Sequence, residues 1–147
     1  MTGGRIKKLD KYLDKTFIAT YGDGLSSVNI SKLVKFHKKK KKLVTVTAVR
    51  PPARFGAIKI TKDLVKYFRE KSSLDEGWIN GGFFVMEPKF IKFIKNQNTF
   101  LEQEPFKKIT EKKQLVAYKH YGFWQCMDTL RDKEILEKNI KNKKHLE

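Results

Sequence analysis

The stretch LVTVTAVRPPARFGA, Leu43 to Ala57, decides the architecture. Its first seven residues are apolar or threonine and mostly β-branched, the composition of a strand buried between layers. Pro51 and Pro52 end it, because proline cannot donate to a sheet ladder, so residues 50–56 are a loop leaving the strand's carboxyl end. Upstream, Ile30, Leu33, Val34 and His37 recur at i, i+3, i+4 and i+7, which predicts a helix over 29–41 with candidate caps between Ser26 and Asn29. Before that helix, residues 16–21 read as a strand ending in the tight turn Gly22-Asp23-Gly24. Strand and helix alternate, as in an α/β layered fold.

Downstream, residues 57–60 and 64–69 read as two short strands forming a hairpin-like excursion, followed by a polar loop at 71–77. Residues 78–86 are strand-like but contain Gly81-Gly82, which predicts a bulge or a close approach of the backbone to another group. A helix is expected over 89–95, with Phe90, Ile91, Phe93 and Ile94 as its apolar side. Another is expected over 99–113, interrupted near Pro105. Residues 115–120 read as a strand. Residues 129–142 read as a terminal helix with Leu130, Ile135, Leu136 and Ile140 on one side.

Composition limits the function classes. With 39% hydrophobic residues and 12% aromatics, the 147-residue chain has enough material for a core, and one domain is the economical division. The single Cys126 excludes an internal disulfide framework and fits a reducing cytoplasm. Nothing like a secretory leader opens the chain, and the longest apolar runs, 43–49 and 83–86, are far shorter than the ~20 residues of a membrane span. The net charge of +17 suggests an anionic partner, yet only five of 33 basic residues are arginine. Lysines spread over solvated faces are a poor substitute for the planar fork that reads nucleic acid, so nucleic-acid binding is not the expected function.

Two aspartates stand where metal chemistry would need them. Asp23 follows a strand between two glycines, where the backbone leaves room for a ligand; a plain turn is the bland alternative. Asp128 precedes the last helix, where capping, alone or with Thr129, is the alternative. One or two carboxylates completed by water and substrate phosphates suit Mg²⁺. Glu70-Lys71 follows the strand ending at Arg69, and that lysine can neutralise a phosphate. Asn80-Gly81-Gly82 can offer an amide and backbone groups to sugar hydroxyls. His37, His120 and His145 with one cysteine make no zinc pattern, and no nucleophilic triad is visible.

Taken in order, TGGRIKKL (2–9), TYGDG (20–24), TVTAVRPPARFGA (45–57), FREK (68–71), WINGGFFV (78–85) and AYKHYGFWQCMDTLRDK (117–133) resemble the glucose-1-phosphate cytidylyltransferase family of sugar nucleotidyltransferases. The resemblance covers nearly the whole chain. It implies a Rossmann-like nucleotidyltransferase fold, with a mixed, mainly parallel sheet flanked by helices. CTP and glucose 1-phosphate would be converted to CDP-glucose and pyrophosphate for surface-polysaccharide (O-antigen) sugars by a cytoplasmic, homo-oligomeric enzyme. It further implies Mg²⁺ on Asp23 and Asp128, catalytic roles for Lys71, Asp23 and Asp128, and substrate contacts from Arg5, Gly22, Glu70, Lys71, Asn80 and Gly81.

Departures bear on that expectation. Cys126 and Ser72 stand where the family pattern has proline. The family's Gly-rich AGGxGTR loop, which holds nucleotide phosphates, has no counterpart before Gly3-Gly4-Arg5. The expectation is therefore one partial domain over 1–147, the C-terminal, sugar-phosphate and metal half, with little activity alone. The alternative is an inactive fragment serving as a partner of an intact subunit or a complementing half.

Overall fold

A computed structural model of the chain describes residues 1–51, 57–69 and 77–141, with the backbone alone for 57–60 and 67–69. Strands β1 (Phe17–Thr20), β3 (Val44–Val49), β6 (Ile79–Met86) and β7 (Leu115–Lys119) form one sheet in the order β1-β6-β3-β7. β1 and β6 are antiparallel, Phe17 facing Met86 and Thr20 facing Phe83. The Glu87 amide donates to the Leu43 carbonyl at 2.9 Å, setting the end of β6 against the start of β3. Val44 N–H reaches Gln114 at 3.1 Å and His120 N–H reaches Ala48 at 2.9 Å, so β7 runs with β3. The sheet is mixed, with β6 opposed to the other three.

Two compact units partition the chain: Met1–Gly22, Asn29–Thr47 and Gly82–Tyr118 form the first, and Asp23–Val28, Ala48–Gly81 and Lys119–Glu147 the second.

The first unit's core follows from strand alternation on β3. Val44 and Val46 face a cluster of Phe84, Met86, Phe90, Ile94, Leu101, Phe106 and Ile109. Phe106 and Ile109 come from α3 (Glu104–Glu111). Thr45 points the other way, to α2 (Ile30–Lys40). There the buried His37 lies 2.8 Å from the Thr45 hydroxyl through Nδ1, and its Nε2–H donates to Glu87 at 2.9 Å. α2 begins as expected, the Asn29 carboxamide accepting Lys32 N–H at 2.8 Å, and ends at Lys41 in the left-handed region (φ 51).

Three expected helices are corrected. In place of the helix expected over 89–95 stands a 3₁₀ segment, Pro88–Phe93, in which residues three apart eclipse; the Phe90 and Phe93 rings therefore stack at 18°. The helix expected over 99–113 begins only at Glu104, because Pro105 can occupy a first turn and nothing further in. In α4 (Leu130–Lys141), Leu136 and Asp132 are buried while Leu130, Ile135 and Ile140 are exposed, so the expected apolar side is not the packed one.

The sequence reading assigned no helix to residues 2–8, where α1 (Thr2–Lys8) lies. Its glycines are demanded by packing: a Cβ on Gly4 would stand 1.9 Å from the Gln97 carbonyl, and one on Gly3 2.8 Å from that of Thr99. Gly82, at φ +77, is a close approach as expected, its α-carbon lying against the Tyr21 ring.

Candidate active site

Two three-residue strands build the site in the second unit. β2 (Gly24–Ser26) pairs antiparallel with β8 (Trp124–Cys126), Gly24 facing Cys126. The turn expected at residues 22–24 thus passes directly into a strand. Ser26 Oγ donates to the Phe123 carbonyl and Ser27 Oγ accepts Phe123 N–H, both at 3.0 Å, closing one end of the ribbon. At the other end Met127 N–H donates to the Asp23 carbonyl at 2.8 Å. Asp23 and Asp128, distant in sequence, are thereby carried to the same end of one ribbon, both exposed.

Neither carboxylate is consumed by structural work. Thr129 Oγ1 accepts Asp132 N–H at 3.2 Å, and Asp132 Oδ2 accepts Thr129 N–H at 3.0 Å and the Thr129 hydroxyl at 2.7 Å. This reciprocal box caps α4, so the capping role considered for Asp128 belongs to Thr129 and Asp132. Buried Gln125 donates to Asp132 Oδ1 at 3.2 Å, tying β8 to the helix start. The Asp23 carboxylate has no hydrogen-bonding partner among the described residues. Asp128 accepts a bond from the Cys126 thiol at 3.1 Å. Burial, then the bond and charge of Asp128, push that thiol up to about 11, so it stays protonated at neutral pH and is a donor rather than a soft ligand.

Trp124 Nε1 donates to the Gly81 carbonyl at 2.8 Å, which brings Gly81 to the same ribbon, with exposed Asn80 next to it in the chain. Gly22 precedes Asp23, and among the described residues nothing lies within 4 Å of where its Cβ would stand, so no protein contact demands a glycine there. Arg5 is exposed on α1, in the first unit. Glu70 and Lys71 lie outside the described residues. The expectations include Thr129 as a cap but neither Asp132 as its partner nor Trp124 as an anchor. The cap had a signal, Thr-x-x-Asp ahead of a helical pattern; Trp124 had none.

A family profile described as "Nucleotidyl transferase" matches residues 5–140. The chain belongs to the nucleotidyl transferase family. Among its relatives, glucose-1-phosphate cytidylyltransferase of Salmonella typhimurium is 48% identical over 139 residues, 93% of this chain and 54% of the relative. Mannose-1-phosphate guanyltransferase of Saccharomyces cerevisiae is 30% identical over 148 residues, 95% of this chain and 40% of that one. The chain thus spans about half the length of its nearer curated relatives, such as the Salmonella protein. Its fold matches the crystal structure of HddC from Yersinia pseudotuberculosis with a TM-score of 0.67 at 19% identity, over 95% of this chain and 62% of the other.

A divalent metal is general in the family, and the donors suit a hard one. Two exposed carboxylates share a ribbon end, and among the described residues no group of three His, Cys, Asp or Glu gathers into a ready-made metal site. Mg²⁺ needs no more from protein, since it keeps waters and substrate phosphates in its remaining positions. No helix among the described residues is long and apolar enough to cross a membrane.

Proposed function

We propose that the chain carries the sugar-phosphate and metal portion of a glucose-1-phosphate cytidylyltransferase. An oxygen of glucose 1-phosphate attacks the α-phosphorus of CTP, the bond from that phosphorus to the bridging oxygen breaks, and pyrophosphate leaves with the electron pair. The observation that carries the reading is the Asp23–Met127 backbone bond, which sets Asp23 and Asp128 at one ribbon end with neither used for capping. The 48% identity to the Salmonella enzyme supplies the substrate classes.

Asp23 and Asp128 would hold Mg²⁺, which when bound neutralises phosphate charge and orients the leaving group. Lys71 takes the sugar phosphate. Glu70, Asn80 and Gly81 contact the sugar, and Arg5 and Gly22 contact substrate; the space left by the described residues at the Gly22 α-carbon supports a ligand's close approach. Homo-oligomerisation, a cytoplasmic location and supply of surface-polysaccharide (O-antigen) sugars belong to the same proposal, on the resemblance.

The test reads metal binding and turnover separately. Calorimetric titration with Mn²⁺ should show at least about tenfold weaker binding in Asp23→Asn and Asp128→Asn. Coupled pyrophosphate release with CTP, glucose 1-phosphate and Mg²⁺ should fall in the same variants. Wild-type metal affinity in both variants overturns the reading. Metal binding with no turnover in the wild-type chain favours the alternative, a partner of an intact subunit or complementing half.

A further inference from the structure

The carboxyl ends of β3 and β7 hold a second cluster, all within the second unit and absent from the site above. Arg50 follows the last residue of β3, Lys119 ends β7, and both cations lie on one indole: Arg50 Cζ is 5.0 Å and Lys119 Nζ 5.5 Å from the centre of the Trp78 ring. Tyr121 stands edge-on to the same ring at 5.3 Å and is 79% exposed.

Two like charges on one ring repel each other, and the cation–π attraction of each does not neutralise them. Among the described residues neither has a carboxylate partner, and Arg50 Nε is shielded from solvent with no hydrogen-bond partner. An orphaned guanidinium donor costs free energy unless an acceptor meets it in some state of the protein. The carboxyl ends of parallel strands are also where α/β sheets seat their ligands.

We infer that Arg50, Lys119, Trp78 and Tyr121 form a phosphate-binding site, in which the two cations gathered on one indole draw in a phosphate group and the Tyr121 hydroxyl closes the exposed side. A compact dianion fits better than a nucleic-acid strand. Of the described residues directly flanking these four, Val49, Pro51, Gly77, Ile79, Tyr118 and Gly122 carry no ionisable cation and His120 alone is a titratable base, so the cations make a point rather than a track. The site rests on the nucleotidyl-transfer reading only for its choice of ligands, a sugar phosphate or released pyrophosphate.

Calorimetry on the full chain at constant ionic strength, with inorganic phosphate, pyrophosphate and glucose 1-phosphate as separate probes, decides it. At least one probe should bind saturably, and which one binds tightest identifies the source. Arg50→Gln and Lys119→Gln should each weaken that binding about tenfold, while Lys138→Gln, on α4, leaves it unchanged. Lys119 is exposed, so its variant keeps the test sound if Arg50→Gln fails to fold. Unchanged affinity in Lys119→Gln, an equal loss in Lys138→Gln, or no saturable binding of any probe overturns the site. So does a short oligothymidylate that weakens in the same variants yet is not displaced by pyrophosphate. The measurement needs neither metal nor turnover, so Asp23→Asn should retain phosphate binding even where the proposed reaction fails.

Discussion

Thr129 and Asp132 cap each other across the first turn of α4, the Asp132 carboxylate taking the Thr129 amide at 3.0 Å while the Thr129 hydroxyl takes the Asp132 amide at 3.2 Å. That exchange leaves Asp128, one residue earlier, outside the helix's hydrogen bonding. Asp132→Ala should therefore destabilise the chain by about 2 kcal/mol, since it removes a cap and one of the two hydrogen bonds that the buried Gln125 amide donates, leaving the other to the Cys126 carbonyl. Asp128→Asn should leave stability within about 0.5 kcal/mol while weakening metal binding. Urea unfolding of the two variants separates the roles.

Gly4 and Gly22 make a second contrast. A methyl on Gly4 would overlap the Gln97 carbonyl, a backbone atom that cannot swing aside. Gly4→Ala is expected to cost about 1–3 kcal/mol and to lower the melting temperature by several degrees. Gly22→Ala meets none of the described residues, so its melting temperature should match the wild type, and a loss of substrate affinity there would report a ligand against the α-carbon.

Glu87 makes the fold sensitive to acid. Burial raises its carboxyl, but the bonds from His37 and Thr16 and the charges of His37 and Lys89 outweigh that and hold it below the ordinary 4.5. A carboxylate depressed on folding contributes stability that is present above its unfolded pKa and lost as pH falls through the lower, folded one. Stability should thus decline below about pH 4.5, and Glu87→Gln should flatten that part of the curve, measured as urea midpoints against pH.

Cys126 offers a reporter for the proposed metal site. With its thiol pushed up to about 11, alkylation by iodoacetamide at neutral pH should be far slower than for a free cysteine. Asp128→Asn removes a bond and a charge that favour the neutral thiol, so it should speed the reaction. Mg²⁺ bound at Asp128 should speed it as well, and a rate indifferent to both changes would contradict the geometry.

Much of the framework was legible in order of residues. The β-branched run ending at Pro51-Pro52 is β3, the Asn29 cap and the Leu33/His37 spacing are α2, and the two strands flanking Lys62-Asp63 pair as β4 (Ala57–Thr61) and β5 (Leu64–Arg69). These elements depend on local propensity and on partners close in the chain. α1 escaped because paired glycines disfavour a helix unless packing demands them, and β2 and β8 escaped because three residues carry no period.

Residue order alone specifies the layered α/β class and puts two aspartates beside expected element ends. Only the tertiary structure decided that those ends coincide, that Thr129 and Asp132 take the cap, and that Arg50 and Lys119 meet on one indole. The physical reason is that each of these depends on contacts between residues distant in the chain. A single long-range hydrogen bond, Met127 to Asp23, brings together groups that no local spacing relates.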